Sequence, residues 1–222
     1  MLEFKEIEEN PQIKEYIFQT EKALSALSYT DHGFRHSKIV AERAKDIARQ
    51  VGLSKKQGEM ASIAGFCHDM GNFLGRSYHN YLAALLFHQV FQKDFNPKEL
   101  ATITQAISMH DEKIREIVFS GPVAAVVVLA DKSDVHRSRV IQETMDEIKA
   151  DIHDRVNYAT TSSKLEIDKR KKRIILSLRI DTKFVPVMEY FEIFTQRMIM
   201  CRKAAEYLGY NFGLVINKFT LL

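Results

Sequence analysis

The chain has 222 residues, 45% of them apolar and only four of them proline, which suits one well-packed domain with a modest appendage and excludes two large domains. Lys and Arg number 32 against 29 Asp and Glu, and a formal charge of +3 is too small to hold nucleic acid by bulk electrostatics, so any anion must be recognised locally. Cys67 and Cys201 lie far apart and define no disulfide framework, the acidic start lacks a secretory pattern, and the longest apolar run, residues 122–130, is too short to cross a bilayer; a cytoplasmic protein with no membrane partner is expected.

Residues 11–154 carry helical periodicity, with breaks at Gly33, Gly52, Gly71, Gly75, Pro97 and Gly121. Thr30 and Asp31 are expected to cap a helix whose inner stripe is His36, Val40, Ala44 and Ile47, with Lys38, Glu42 and Lys45 opposite. A second helix starts near Leu53 and ends at His68 and Asp69, where Gly71 stops it. His79 sits one turn before Ala83 and two before Leu86, His110 follows Ile103, Ala106 and Ile107 at helical spacing, and His88 shares a stripe with Leu85 and Phe91 that reads as core. The run 122–130 is apolar on every side and ends at Asp131, after which residues 131–139 are strongly polar.

Beyond Asn157 the character changes. Residues 165–168, a basic turn at 169–172 and the alternating Ile and Leu of 173–181 predict a β-hairpin, followed by a helix over 186–208 and a last strand over 212–219. The predicted fold is mainly α: a helical bundle over 1–157 and a small C-terminal α+β annex over 158–222, built of three antiparallel strands and one helix. The basic turn reads as a solvated hairpin tip rather than a nucleic-acid patch.

An inward histidine alone is most often a core residue bonded to a carbonyl. Here His36, His79 and His110 all face inward, together with carboxylates. Asp131 closes a helix apolar all round, and a carboxylate withdrawn from water needs an Arg or Lys partner, a proton or a metal; Arg43 is the candidate salt-bridge partner. His68 and Asp69 are neighbours, and neighbouring helical side chains diverge by roughly 100°, so both serve one site only near a helix end. There Asp69 could turn one oxygen to each of two metals. Arg137 and Arg139 could reach substrate phosphates, since a guanidinium offers paired donors, and Lys132 could act similarly, with Arg76 covering the open side from its loop; solvated surface charge is the alternative for each.

His36, then His68 with Asp69, then Asp131 resemble the His, His-Asp, Asp signature of the HD superfamily of metal-dependent phosphohydrolases, over residues 29–139. His79 and His110 fall where dinuclear members carry two further histidines. The pattern is most similar to that of small bacterial HD hydrolases that cleave dinucleoside tetraphosphates. The resemblance implies one metal held by His36, His68, Asp69 and Asp131 and a second held by Asp69, His79 and His110. A donor set of imidazoles and carboxylates suits Fe, Mn, Co, Ni or Zn. It further implies a small phosphorylated substrate such as a nucleotide, attacked by a metal-activated water, with Asp69, Lys132, Arg137 and Arg139 as the catalytic set. Asn72 stands where cyclic dinucleotide phosphodiesterases of the superfamily carry lysine, and their Gly-Tyr-Pro motif is missing. The stringent-response hydrolases carry acidic residues where this chain reads Met70, Gly71, Asn72, Phe73 and Leu74, so both assignments are disfavoured. Two other readings stay open: a di-iron oxygenase of the same superfamily, and a non-catalytic module that binds metal or nucleotide. The annex is expected either to shape the pocket or to build a homodimer interface.

Overall fold

The structure, a computed structural model, describes residues 2–111 and 118–221, so the helical reading across 112–117 lies outside the described residues. Helices α1 (Phe4–Glu9) and α2 (Pro11–Ala26) are separated by Asn10, whose side chain caps α2 by accepting from the backbone of Gln12 and Ile13. α3 (Phe34–Val51) starts at Gly33 rather than at Thr30 or Asp31, and it ends at Gly52. The Asp31 carboxylate accepts the Gly33 amide at 2.7 Å, so it closes the turn before the helix instead of capping it. α4 (Lys55–Cys67) opens with a capping box between Ser54 and Gln57, and every residue from Gly58 to Cys67 is buried. α5 (His79–Phe91), α6 (Pro97–Met109) and α7 (Pro122–Lys132) complete the bundle, and α7 is as fully buried as its apolar run predicts. α4 and α7 form the centre, packed on each other and flanked by α3 and α6.

After a short 3-10 turn at Arg137–Arg139 come α8 (Met145–Ala150) and α9 (Ile152–Ala159), then β1 (Thr160–Asp168), β2 (Arg173–Ile180), α10 (Val187–Tyr207), β3 (Asn211–Ile216) and β4 (Phe219–Thr220). The hairpin forms as expected, with the basic residues at its tip, and β1 begins five residues earlier than the alternation suggested. The expectation of an all-antiparallel annex is corrected. β3 pairs with β2 in parallel, Ile174 beside Phe212 and Leu178 beside Ile216, because α10 carries the chain back across the sheet before β3 starts. A fourth strand then turns tightly at Asn217 and Lys218, both at positive φ, to pair antiparallel with β3.

Ile174, Leu176, Leu178 and Ile180 of β2, and Tyr190, Phe194 and Cys201 of α10, belong to the same apolar cluster as α4 and α7. Burying each such side chain contributes about 1.5–3 kcal/mol. The annex is therefore fused to the bundle through one core, and α10 lies directly against α7. Both cysteines are free and buried, and no helix among the described residues is long and apolar enough to cross a membrane. His88 is a further correction. It is exposed, because the buried face of α5 is Ala83, Ala84, Phe87 and Phe91, and Leu85 shares the outer side with it.

Candidate metal centre

Four helices and the turn after a fifth, α4, bring the predicted residues together. His36 rises from the first turn of α3, His79 opens α5, His110 ends α6 and Asp131 closes α7. After Cys67 the chain tightens: the amides of Met70, Asn72 and Leu74 bond to the carbonyls of Cys67, Asp69 and Gly71, each three residues back. This tightening swings His68 and Asp69 to one side. Gly71 has φ −85°, ψ −8°, so it is not a left-handed helix stop. It is needed for a close approach: a Cβ there would lie 2.3 Å from the His79 carbonyl and 2.5 Å from the Ala83 amide, so glycine lets α5 dock on the turn.

All six residues are buried, from 0% exposed for His36 and His68 to 4% for Asp131. Asp69 stands in the middle. Its Oδ2 lies 3.1 Å from His68 Nε2 and 3.6 Å from His36 Nε2, while its Oδ1 lies 3.3 Å from His79 Nε2 and 3.5 Å from His110 Nε2. Asp131 Oδ1 approaches His36 Nε2 at 3.4 Å and His68 Nε2 at 3.8 Å. His36, His68 and Asp69 form one potential ligand cluster; Asp69, His79 and His110 form another; and His68, His110 and Asp131 link the two.

Each imidazole is fixed from behind. The Nδ1 atoms contact Asp134 Oδ2 (His36, 2.8 Å) and the carbonyls of Gly65 (His68, 2.7 Å), Arg76 (His79, 2.9 Å) and Ile107 (His110, 2.7 Å). Four acceptors there place the ring hydrogens on Nδ1 and turn the Nε2 lone pairs inward. Yet the Nε2 atoms of His36 and His68 are 3.2 Å apart, and those of His79 and His110 are 3.1 Å apart. Two lone pairs at such a distance repel unless a cation or a proton lies between them, so the donor set fits metal ions. The electrostatics agree. Burial pushes the Asp69 carboxyl up, but His68, His110 and His79 outweigh it and hold it well below the ordinary carboxylate range. Burial pushes His68 down, but Asp69 and Asp131 win and raise it, which marks the spot as one that favours positive charge. His110 is lowered to about 4 by burial, with Asp69 opposing and His68 and His79 adding, which suits a neutral ligand.

Sequence reasoning gave no role at this core to Asp134, Asn72, His32 or Arg197. Asp134 orients His36 and is itself approached by Arg35, Arg43 and Arg139 at 3.6, 3.8 and 3.9 Å. Arg43 thus serves Asp134 and the Ala130 carbonyl instead of Asp131, whose cations are Lys132 at 2.9 Å and Arg197 at 3.7 Å. Asn72 donates to Asp69 Oδ1 at 3.0 Å, and Arg76 donates to Asn72 at 2.8 Å. Lys132 bridges Asp131 and Asp111; burial lowers it, but both carboxylates outweigh burial and keep it charged. His32, in the loop before α3, lines the crevice over the ligands together with Arg76, Lys132 and Arg197. The two arginines expected at substrate phosphates lie elsewhere. Arg137 is exposed over the Tyr158 ring, 5.1 Å from its centroid, and Arg139 is 2% exposed and donates to the carbonyls of Asp134 and Asp31. Both lie in a turn whose polar sequence hides that one of its guanidiniums serves as an internal clamp.

Fold and site together define a helical protein with a buried histidine-aspartate centre suited to divalent metal. Residues 33–156, more than half of the chain, match the HD domain family, and the chain belongs to that family, whose members are typically metal-dependent phosphohydrolases. It is also 27% identical over 142 residues to an uncharacterized protein of Methanocaldococcus jannaschii, covering 53% of this chain and 52% of that protein. The chain thus spans about half the length of the curated relative it matches.

Proposed function

We propose that this protein is a metal-dependent phosphohydrolase that acts on a nucleotide or a similar small phosphate ester or anhydride. The observation that carries the reading is the Asp69 carboxylate, with Oδ2 toward His36 and His68 and Oδ1 toward His79 and His110. In this reading His36, His68, Asp69 and Asp131 hold one divalent ion, and Asp69, His79 and His110 hold a second, drawn from Fe, Mn, Co, Ni or Zn. Such a pair, when bound, supplies an activated water and neutralises phosphate oxygens.

The chain's own residues do the rest. The four Nδ1 acceptors and Asn72 keep the donors aimed. Lys132 holds Asp131 and Asp111 in place at the rim, where its charge also faces the crevice. Arg139 contributes by tying the segment of Asp134 to Asp31, and Arg137 lies over the Tyr158 ring, outside the crevice lining. Among the described residues the crevice is lined by His, Asp, Arg and Lys and carries no hydroxyl or thiol, which suits attack by a metal-activated water. Residues 1–157 carry the ligands, and 158–222 press α10 against α7 as part of the same core. Two free, buried cysteines fit a reducing compartment such as the cytoplasm.

The test is elemental analysis of the purified protein, followed by a phosphate-release screen across nucleotides and small phosphate esters under anaerobic conditions. About two metals per chain with chelator-sensitive phosphate release is expected. Full metal content with no release from any compound, or oxygen consumption in its place, refutes the reading.

A further inference from the structure

A cavity of about 430 Å³ opens directly beside the metal centre and shares His32, Arg76 and Arg197 with the crevice over the ligands. Arg197 lies on α10, outside the residues that match the HD family. Its guanidinium rests on the Phe194 ring, 5.3 Å from the centroid, and Nη2 donates to the Asp131 carbonyl at 3.1 Å. The Nε finds no partner among the described residues. Arg76 faces it from the loop before α5, held by Asn72 and lying 6.0 Å from the centre of the Tyr29 ring. Two guanidiniums therefore flank the passage from cavity to centre. Beyond them the cavity wall changes chemistry: Leu27 and Tyr29 offer apolar and aromatic surface, and Asp151 offers a carboxylate.

We infer that Arg197 and Arg76 form a clamp for the phosphoryl group of the substrate, and that the cavity takes a single nucleoside-sized group attached to it. The inference rests on the phosphohydrolase reading and narrows its substrate to a compact phosphomonoester. Guanidiniums pair with two phosphate oxygens at once, and the Phe194 ring and the Asp131 carbonyl hold Arg197 ready for that. The half-exposed Tyr29 ring lines the cavity and offers aromatic surface on which a base can stack. The volume lies in the lower part of the roughly 300–1,000 Å³ range of small-molecule sites, a fit for one nucleoside. This departs from the dinucleoside tetraphosphates suggested by sequence pattern. It also ties the annex to the chemistry, because α10 completes the binding site.

The test uses the full chain loaded with Mn²⁺ and measures binding by titration calorimetry, with inorganic phosphate and a non-hydrolysable nucleoside 5′-phosphonate as probes. Arg197→Gln should weaken both probes about 10- to 100-fold at unchanged metal content, the size expected for a charge-assisted pair. Tyr29→Ala should weaken the phosphonate alone. Unchanged phosphate affinity in Arg197→Gln, unchanged phosphonate affinity in Tyr29→Ala, or tighter binding of a non-hydrolysable dinucleoside tetraphosphate analogue overturns the inference. Should Arg197→Gln lose metal or fail to fold, Arg197→Lys decides, because it keeps the charge but not the paired donors: a tenfold loss of phosphate affinity supports the clamp and no loss overturns it. Arg197-dependent phosphate binding without ester hydrolysis would leave the clamp standing and remove the hydrolase reading; hydrolysis with normal binding by Arg197→Gln would do the reverse.

Discussion

Asp154 offers a quantitative test of the packing beside the cavity. It lies in the first turn of α9, is 1% exposed, and its Oδ1 has no hydrogen-bond partner among the described residues. Burial, with a smaller push from the Asp151 charge, raises its carboxyl from 3.8 to about 6. The folded state therefore holds this proton more tightly than the unfolded chain does. Its contribution to stability is complete below about pH 4, fades as pH rises from 4 to 6, and is gone above that. A rise of that size corresponds to about 3 kcal/mol at neutral pH, as an upper figure. Asp154→Asn keeps the shape and removes the charge. Relative to the parent, the variant should gain up to about 3 kcal/mol at pH 7.5 and almost nothing at pH 4. In a chain of this size that is a difference in Tm of about 6–12 °C. Thermal unfolding of both proteins across pH 4–8 checks it, and taking the difference at each pH cancels the metal-linked dependence they share. A difference that stays flat with pH, or an Asn variant less stable at pH 7.5, would show that Asp154 is ionised and solvated in the folded protein.

Three further outcomes concern the centre. Asp69→Asn should reduce bound metal at both positions, from about two per chain to well below one, by elemental analysis, whereas His110→Ala should reduce it to about one. Asp134→Asn weakens the acceptor behind His36, so metal affinity measured by chelator competition should fall about 10- to 100-fold with the fold intact. Gly71→Ala forces a methyl against the His79 carbonyl and Ala83 amide, so chemical unfolding should show a loss of about 1–3 kcal/mol together with a weakened second metal.

Helical periodicity makes His36, His79 and His110 legible as inward groups, because an imidazole repeating with Val40, Ala44 and Ile47, or with Ile103 and Ala106, shares their buried face. Asp131 is legible for a different reason: a carboxylate ending a wholly apolar helix has to be neutralised. Periodicity fails where no regular element exists. His32 and Asn72 sit in a loop and a single 3-10 turn, and Asp134 and Arg139 sit in a polar stretch that looks solvated although its residues bury their charges on each other. Arg197 is separated from Asp131 by 66 positions and meets it only because α10 packs on α7, a contact no local pattern encodes. Strand alternation likewise fixes which face of β2 is buried but is the same for parallel and antiparallel partners, so the crossover through α10 cannot be read from it. His88 misleads because Leu85 and Phe91, its apolar neighbours in sequence, lie on different sides of α5.

The distribution of buried charge explains why Asp69, more than its neighbours, depends on bound cations. Asp134 has Arg35, Arg43 and Arg139 around it, Asp131 has Lys132 and Arg197, and Asp111 has Lys132. Asp69 is as deeply buried, yet its ion-pair contacts among the described residues are all with imidazoles, and its other side-chain partner there is the Asn72 amide. Burying a carboxylate without a full positive partner is costly. Protonating one of the imidazoles is a partial remedy, and the raised His68 reflects it. Divalent ions are the complete one, because they also separate the facing Nε2 lone pairs. The crevice lines up three carboxylates, Asp69, Asp111 and Asp131, against three cations, Arg76, Lys132 and Arg197, so its formal charges cancel in number although none of these cations forms an ion pair with Asp69 among the described residues. Two divalent ions would therefore leave this opening strongly positive, a local field that draws a phosphate dianion to a chain whose overall charge is almost neutral.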